Sequence, residues 1–306
     1  MRAVIIERNK LVSKRIARGI LSIGWDCTIA DEPEAAIPHL AGADLVGADV
    51  FDGDVVLELC RQQPTLRPLL WTAEPLRRAL RYMAEQPRLD HVLGRRDFDS
   101  APRPDELVMA LRQLAGGPAP PLGATLAWGA SLSERVVSSP AERDEVVAEA
   151  QATIARLGVP RRMADMIGEL GHELLMNAMY DAPVDDAGRA LYAADRKADI
   201  RLAGADRPTL RLGTDGAVVA LQVSDRFGRL TRDHIVGGLT RGLAAGEMDR
   251  SHGGAGLGLL VCHNASISLA FELVPGQRTA VTARFELDLN LREFRTLPRS
   301  LLIART

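Results

Sequence analysis

Through the first 114 residues, short apolar runs alternate with longer amphipathic ones. The runs "AVIIE", "DLVGADV", "PLLWTA" and "HVLG" read as buried strands. Leu11 to Ile23, Val55 to Arg61, Pro75 to Met83 and Pro104 to Leu114 carry apolar residues at the three- and four-residue steps of a helix. Strand–helix alternation of this length predicts a doubly wound α/β domain over residues 1–114, a parallel sheet with helices on both faces. The stretch "LAGGPAPPLGA", beginning at Leu114, breaks both periods, and residues 115–124 read as a linker.

Beyond the linker the order of elements changes. Strands are predicted near Thr125 to Trp128 and Arg135 to Val137, followed by two long helices. The first opens at "SSPAERDEVV", with Ser139 as N-cap, Pro140 in the first turn and Glu142 closing a capping box; Pro160 opens the second. Thr214, Asp215 and Gly216 read as a hairpin turn before "AVVALQV". In "TAVTARFEL", Val281, Ala283, Phe285 and Leu287 alternate inward against Thr282, Arg284 and Glu286 outward. Residues 125–306 are therefore expected to form an α+β two-layer sandwich, helices on one face of a mixed sheet.

A chain of 306 residues is long enough for two cores, and its net charge of −2 supplies no general field to recruit nucleic acid or anionic lipid. Nucleic acid is excluded as a partner on that ground. No apolar run approaches the eighteen or so residues that cross a bilayer, so a cytoplasmic protein without membrane insertion is expected. Cys27, Cys60 and Cys262 are far apart and form no C-x-x-C pair, which favours buried thiols over disulfides or zinc.

Candidate chemistry begins in the helix "PRRMADMIGELGHELLMNAMYDA". Met163, Ile167, Leu170, Leu174 and Ala178 make its core stripe, and beside that stripe Glu169, Glu173, Asn177 and Asp181 recur at four-residue steps. Such a ladder is either a solvated face or a set of oxygens meeting one ligand. Stacked glutamates repel, and Gly168 and Gly171 weaken the helix, which favours access for a ligand. Asp225 closes the strand in "VVALQVSDRFGRL" and is either a turn residue or an acceptor for an amine edge. The stretch "SHGGAGLGLLVCHNA" brings backbone N–H groups to a helix entrance, a setting for phosphate. It spells neither a P-loop nor the G-x-G-x-x-G fingerprint, because Leu259 stands where a third glycine or the P-loop lysine belongs.

Taken in order, Glu173 and Asn177 on a helix, Asp225 after a strand and "GGAGLGL" further on resemble the GHKL (Bergerat) ATP-binding fold of gyrase, histidine kinases and the anti-sigma-factor serine kinases, over roughly Leu126 to Leu289. The resemblance implies ATP and Mg²⁺ as cofactors. It assigns Mg²⁺ to Asn177, activation of the attacking water or hydroxyl to Glu173, and the adenine amine to Asp225. Gly228, Gly254, Gly256, Leu257 and Gly258 complete the implied ATP pocket. The family's lid falls on "TRDHIVGGLTRGLAAGEMDRSH", with Gly237, Gly238, Gly242 and Gly246 as hinges and Arg241 or Arg250 as phosphate contacts. Two departures stand out: Asp225 is followed by Arg226, Phe227, Gly228 and Arg229 where the family reads D-x-G-x-G, and Asp181 occupies a place that is basic in many relatives. His172 lies inside the same helix as a structural or pocket-rim residue. The branch most resembled is the serine kinases, which implies phosphorylation of a regulatory partner (anti-sigma, kinase or response-regulator type) or slow ATP hydrolysis. A non-catalytic adaptor gated by ATP and a histidine-kinase-like protein without its own phosphoacceptor domain are the alternatives, and a homodimer is left open.

The front half resembles a response-regulator receiver, a flavodoxin-like fold with an acidic pocket at the strand ends. That resemblance puts Asp49 at the phosphoacceptor position, Thr72 at the end of "PLLWTA", Arg95 where the family carries lysine, and Glu7 as the first of two metal-binding acids. Arg8 takes the place of the second acid, so a cation opposes Mg²⁺ there and is expected to enter the pocket itself. A degenerate receiver used for docking is the reading adopted, beside a generic flavodoxin-like domain without chemistry.

Overall fold

A computed structural model describes residues 1–245 and 257–305 of the chain. Contacts divide it into two units, Met1–Ala119 together with Thr296–Ala304, and Pro120–Arg295.

In the first unit the elements run β1 (Arg2–Ile6), α1 (Lys10–Ser22), β2 (Asp26–Ala30), α2 (Pro33–Ala36), β3 (Leu45–Asp49), α3 (Gly53–Gln62), β4 (Arg67–Thr72), α4 (Arg77–Glu85), β5 (His91–Gly94) and α5 (Pro104–Leu114). These five strands are parallel in the order β2-β1-β3-β4-β5. Helix α1 packs on α5 and α3 on α4, so the sheet is doubly wound, in the flavodoxin-like order. Ala3, Val4, Ile5 and Ile6 of β1 have no exposed surface, as a strand covered on both faces requires. Asn9 caps α1, its Oδ1 accepting from the N–H groups of Leu11 and Val12. Strand β2 is not apparent from the sequence, because Asp26, Cys27 and Thr28 interrupt any apolar run; it lies at the sheet edge, where Asp26 and Ile29 are exposed.

The second unit contains β6 (Ser131–Val136), α6 (Pro140–Ala155), α7 (Arg161–Met176), β7 (Thr209–Thr214), β8 (Val218–Asp225), α8 (Arg232–Ala245), α9 (Leu257–Asn264), β9 (Ser268–Val274), β10 (Arg278–Glu286) and α10 (Leu291–Thr296). Its sheet runs β9-β10-β8-β7-β6 and is antiparallel throughout, where a mixed sheet was expected. Helices α6, α7, α9 and α8 pack successively on one another, with α7 against β8 and α9 against β9, a two-layer α+β arrangement. All five stripe residues of α7, from Met163 to Ala178, are buried.

Local details correct several expectations. Leu122–Thr125 is a 3-10 turn rather than a strand, held by Thr125 Oγ1 donating to Leu122 O at 2.7 Å, and Trp128 stands fully in solvent. Glu142 accepts from the N–H of Ser138 at 2.7 Å, one residue before the cap, while Ser139 Oγ accepts from Glu142 N. Arg284 is buried despite its outward register, and Leu287 lies beyond the end of β10. Gly168 faces Gln151 of α6, and Gly171 faces Leu221 and Val147, so both glycines serve helix packing rather than ligand access.

A last strand, β11 (Ser300–Arg305), belongs to the first unit although it follows the second in sequence. It runs antiparallel to β5, with Leu301 opposite Val92 and Leu302 opposite His91, and Ile303 N donates to Asp90 O at 2.9 Å. Ser300 Oγ accepts from Gly94 N at 2.8 Å and donates to the buried carboxylate of Glu106. No strand was expected here, since the apolar run "LLIA" follows a domain to which it does not belong.

Candidate functional site

Helix α7 resolves the polar ladder into two parts. Glu169 is exposed, a solvated position, whereas Glu173, Asn177 and Asp181 are half-buried. At Asn177 the helix widens into a π turn over Asn177–Asp181, closed by Ala182 N donating to Asn177 O at 2.9 Å. Such turns recur at functional sites because they shift side chains off the α-helical register. Helix α9 starts at Leu257 and packs against α7. A Cβ built on Gly258 would lie 2.7 Å from Glu173 Oε2 and 3.8 Å from Asn177 Oδ1. The first turn of α9 thus lies close over both side chains, and Glu173, Asn177 and Gly258 come together from segments some eighty residues apart in the chain. Gly254, Gly256 and Arg250 lie outside the described residues, as does Gly246.

Arg196, which no sequence signal marked, completes this cluster. Its guanidinium donates to Asn177 Oδ1 at 2.9 Å and pairs with Asp181 Oδ2 at 3.1 Å, while Arg229 donates to Asp181 O at 3.2 Å. Burial pushes the Asp181 carboxyl above the ordinary aspartate value, against the lowering pull of Arg196 and Arg229. Asp181 thus has a basic partner, Arg196, delivered by the loop before β7. Mg²⁺ does not fit this arrangement: the Asn177 oxygen that would hold it already accepts from a cation. His172, half-buried beside Arg143, has its pKa lowered chiefly by burial, which favours the neutral ring.

Asp225 sits at the end of β8 opposite Thr279, and its Oδ1 accepts from Phe227 N at 2.8 Å and Gly228 N at 3.2 Å. This is an Asx turn, so the turn role is the one the geometry displays. Gly228 has φ +59°, and its carbonyl accepts from Gly276 N in the β9–β10 hairpin at 3.2 Å. Phe227 is buried with the Arg226 guanidinium 5.1 Å above its ring, and Arg226 pairs with Asp206.

Burial pushes the Asp225 carboxyl up, outweighing its two backbone donors. The folded chain therefore holds that proton more tightly than the unfolded chain, and the cost of ionising it sets in as pH rises through the raised value. Asp225→Asn keeps an acceptor oxygen without the charge. Its stability relative to wild type is expected to be greater at about pH 7 than at about pH 4, read by urea unfolding at each pH. An equal difference at both would show that the carboxylate is not costly.

The described part of the expected lid is helix α8, with Ile235, Val236 and Leu239 buried and Gly237, Gly238 and Gly242 inside it. Arg241 is exposed and folds back over Gly237 on its own helix. An open cavity of about 540 Å³, lined by Ala148, Ala152, Ala155, Val159, Arg161 and Asp165, lies between α6 and the first turns of α7, away from Glu173.

In the first unit, Glu7 just past β1, Asp49 ending β3 and Arg95 just past β5 meet at the carboxyl ends of the strands, around the β1/β3 switch point where flavodoxin-like sheets bind ligands. Arg95 fills that place. Its guanidinium contacts Glu7 Oε2 at 3.1 Å and Asp49 Oδ2 at 2.7 Å, and donates to Phe98 O at 3.3 Å. Trp71 Nε1 adds a donor to Glu7 Oε2 at 3.1 Å. The Arg95 side chain is 3% exposed, so this pocket is closed, with one guanidinium shared by two carboxylates. Burial raises the Asp49 carboxyl, while Phe51 N–H and Arg95 pull it down. The cation in the pocket is therefore Arg95 and not Arg8, which stays half in solvent and pairs with Asp52 at 2.6 Å and Glu32 at 3.1 Å. Thr72 is buried but turns onto its own loop, its Oγ1 accepting from Glu74 N at 2.9 Å.

No protein-family model and no curated protein matches the chain. Solved structures similar to it cover its first two-fifths. One is a LuxR-family DNA-binding response regulator from Silicibacter pomeroyi, 20% identical over 40% of this chain and 98% of that one, with a TM-score of 0.33. A signal receiver domain of an HD-domain-containing protein from Pseudomonas fluorescens Pf-5 is 16% identical over 38% and 94%, TM-score 0.34. A response regulator from Thermotoga maritima is 12% identical over 38% and 98%, TM-score 0.31. The topology of the first unit is defined by its own strand order and parallel register. Among the described residues no helix is long and apolar enough to cross a membrane.

Proposed function

We propose that the chain is a signalling protein whose second unit binds an adenine nucleotide and whose receiver-like first unit docks a regulatory partner without accepting phosphate. The nucleotide reading is carried by the meeting of Glu173, Asn177 and Gly258 beside a π turn. The first described turn of α9 lies beside the Glu173 carboxylate and the Asn177 carboxamide, and a helix entrance there would offer N–H donors to a polyphosphate. The Asp225 carboxylate, beside Thr279 at the end of β8, would accept from the adenine amine, and Glu173 would take a proton from a nucleophile. Closure of Glu7 and Asp49 around Arg95 supports a first unit that works by its surface rather than by phosphoryl transfer.

A second reading, an adaptor that binds nucleotide without turning it over, is favoured by the Arg196 contact to Asn177. Calorimetric titration with ATP tests the pocket, and turnover separates the readings. Asn177→Ala and Asp225→Ala are each expected to weaken binding by about tenfold or more. Glu173→Ala is expected to bind as wild type and lose turnover if the unit is a kinase or ATPase, whereas absence of turnover in wild type selects the adaptor. A wild-type protein that binds no ATP ends the nucleotide reading.

A further inference from the structure

We infer that Arg196 takes the place of the divalent cation at Asn177, so that the second unit binds nucleotide polyphosphate through a guanidinium and without requiring Mg²⁺. This deepens the nucleotide reading above and rests on it. The carbonyl oxygen of Asn177 and the carboxylate of Asp181 are the hard oxygens closest to Arg196, and its guanidinium occupies both, at 2.9 and 3.1 Å. A hexacoordinate Mg²⁺ needs those oxygens free and at shorter range, and it carries the same sign of charge as the group already there. Arginine meets phosphate oxygens through several fixed donors, and its charge persists at every accessible pH.

Exposure decides between a structural arginine and a binding one. Arg95 in the first unit spends its guanidinium on Glu7, Asp49 and Phe98 O in a sealed pocket, with 3% of its side chain exposed. Arg196 keeps 40% of its side chain in solvent, and its contacts to Asn177 and Asp181 use a single terminal nitrogen. The N–H groups on its other nitrogens remain available to a ligand lying along the same face. Asp181 accordingly holds the guanidinium beside Asn177 when no anion is bound. Asp181 and the arginine that pairs with it from the following loop are two halves of one device.

ATP titrations of the full chain in excess Mg²⁺ and in EDTA, for wild type, Arg196→Ala and Arg196→Lys, test the inference. Wild type is expected to bind with affinities within about threefold of each other in the two conditions. Arg196→Ala is expected to lose about tenfold or more in EDTA and to regain affinity on adding Mg²⁺, since the Asn177 oxygen becomes free. Arg196→Lys is expected to fall between them in EDTA, because it keeps the charge and loses the planar donor set. Wild-type binding that vanishes in EDTA but persists in Mg²⁺ overturns the inference and leaves the nucleotide pocket standing, as does an Arg196→Ala variant that matches wild type in both. Wild-type protein that binds ATP in neither condition overturns the pocket itself.

Discussion

Replacing Arg95 with alanine is expected to cost the first unit about 3–5 kcal/mol, because two buried carboxylates lose their cation at once. Glu7 and Asp49 are each less than a tenth exposed, and the remaining donors, Trp71 Nε1 and the N–H groups of Asn9 and Phe51, carry no charge. Neutralising all three groups together, in Arg95→Met with Glu7→Gln and Asp49→Asn, is expected to recover most of the loss, since removing one partner of a buried pair costs far more than removing the set. Trp71 is fully buried against Glu7, and its emission during urea unfolding, read in a background with Trp25 and Trp128 replaced by phenylalanine, reports on this pocket. An Arg95→Ala midpoint indistinguishable from wild type would mean that water reaches the carboxylates and that the pocket can open.

A comparable loss is expected at Gly228, in the other unit. Its φ of +59° disfavours any side chain, and a Cβ there would press on the carbonyl of Val274 and lie 2.7 Å from Gln277 N and 2.8 Å from Arg278 N. All three contacts are backbone in the β9–β10 hairpin, which cannot yield as a flexible side chain does. Gly228→Ala is expected to destabilise by about 3 kcal/mol or more, from left-handed strain together with forced displacement of the hairpin. Thermal unfolding checks this directly. Any effect of that variant on the proposed nucleotide binding would therefore reflect an altered fold, and Asn177→Ala is the sounder probe of the proposed site. A Gly228→Ala protein that melts with wild type would show that the hairpin gives way easily.

Much of the architecture could be read from apolar spacing. Strands β1, β3, β4 and β5 are covered on both faces and show as unbroken apolar runs, and the stripe of α7 is visible because one helix face meets a sheet. Strand β2 escapes because an edge position tolerates Asp26 and Thr28, and β11 because its pairing partner lies some two hundred residues earlier. The candidate sites were legible only in part. Glu173 and Asn177 share a helix face and so leave a periodic trace. Arg196 reaches them from an irregular loop, and no period links a loop residue to a helix. For the same reason Arg8, adjacent to Glu7 in sequence, suggested itself as the pocket cation, whereas the fold delivers Arg95 from the end of β5.

The return of β11 to the edge of β5 makes the second unit an insertion between two pieces of the first. A protease nick within residues 115–124 would leave two fragments joined by the β5–β11 ladder and by the Ser300 link to Gly94 and Glu106, so they should co-migrate under native conditions and part only in denaturant. Dissection at the seam would likewise yield a front piece with a bare strand edge and a buried Glu106 that has lost its Ser300 donor. An independently expressed first unit would need residues 296–305 grafted back behind α5, or supplied as a separate peptide.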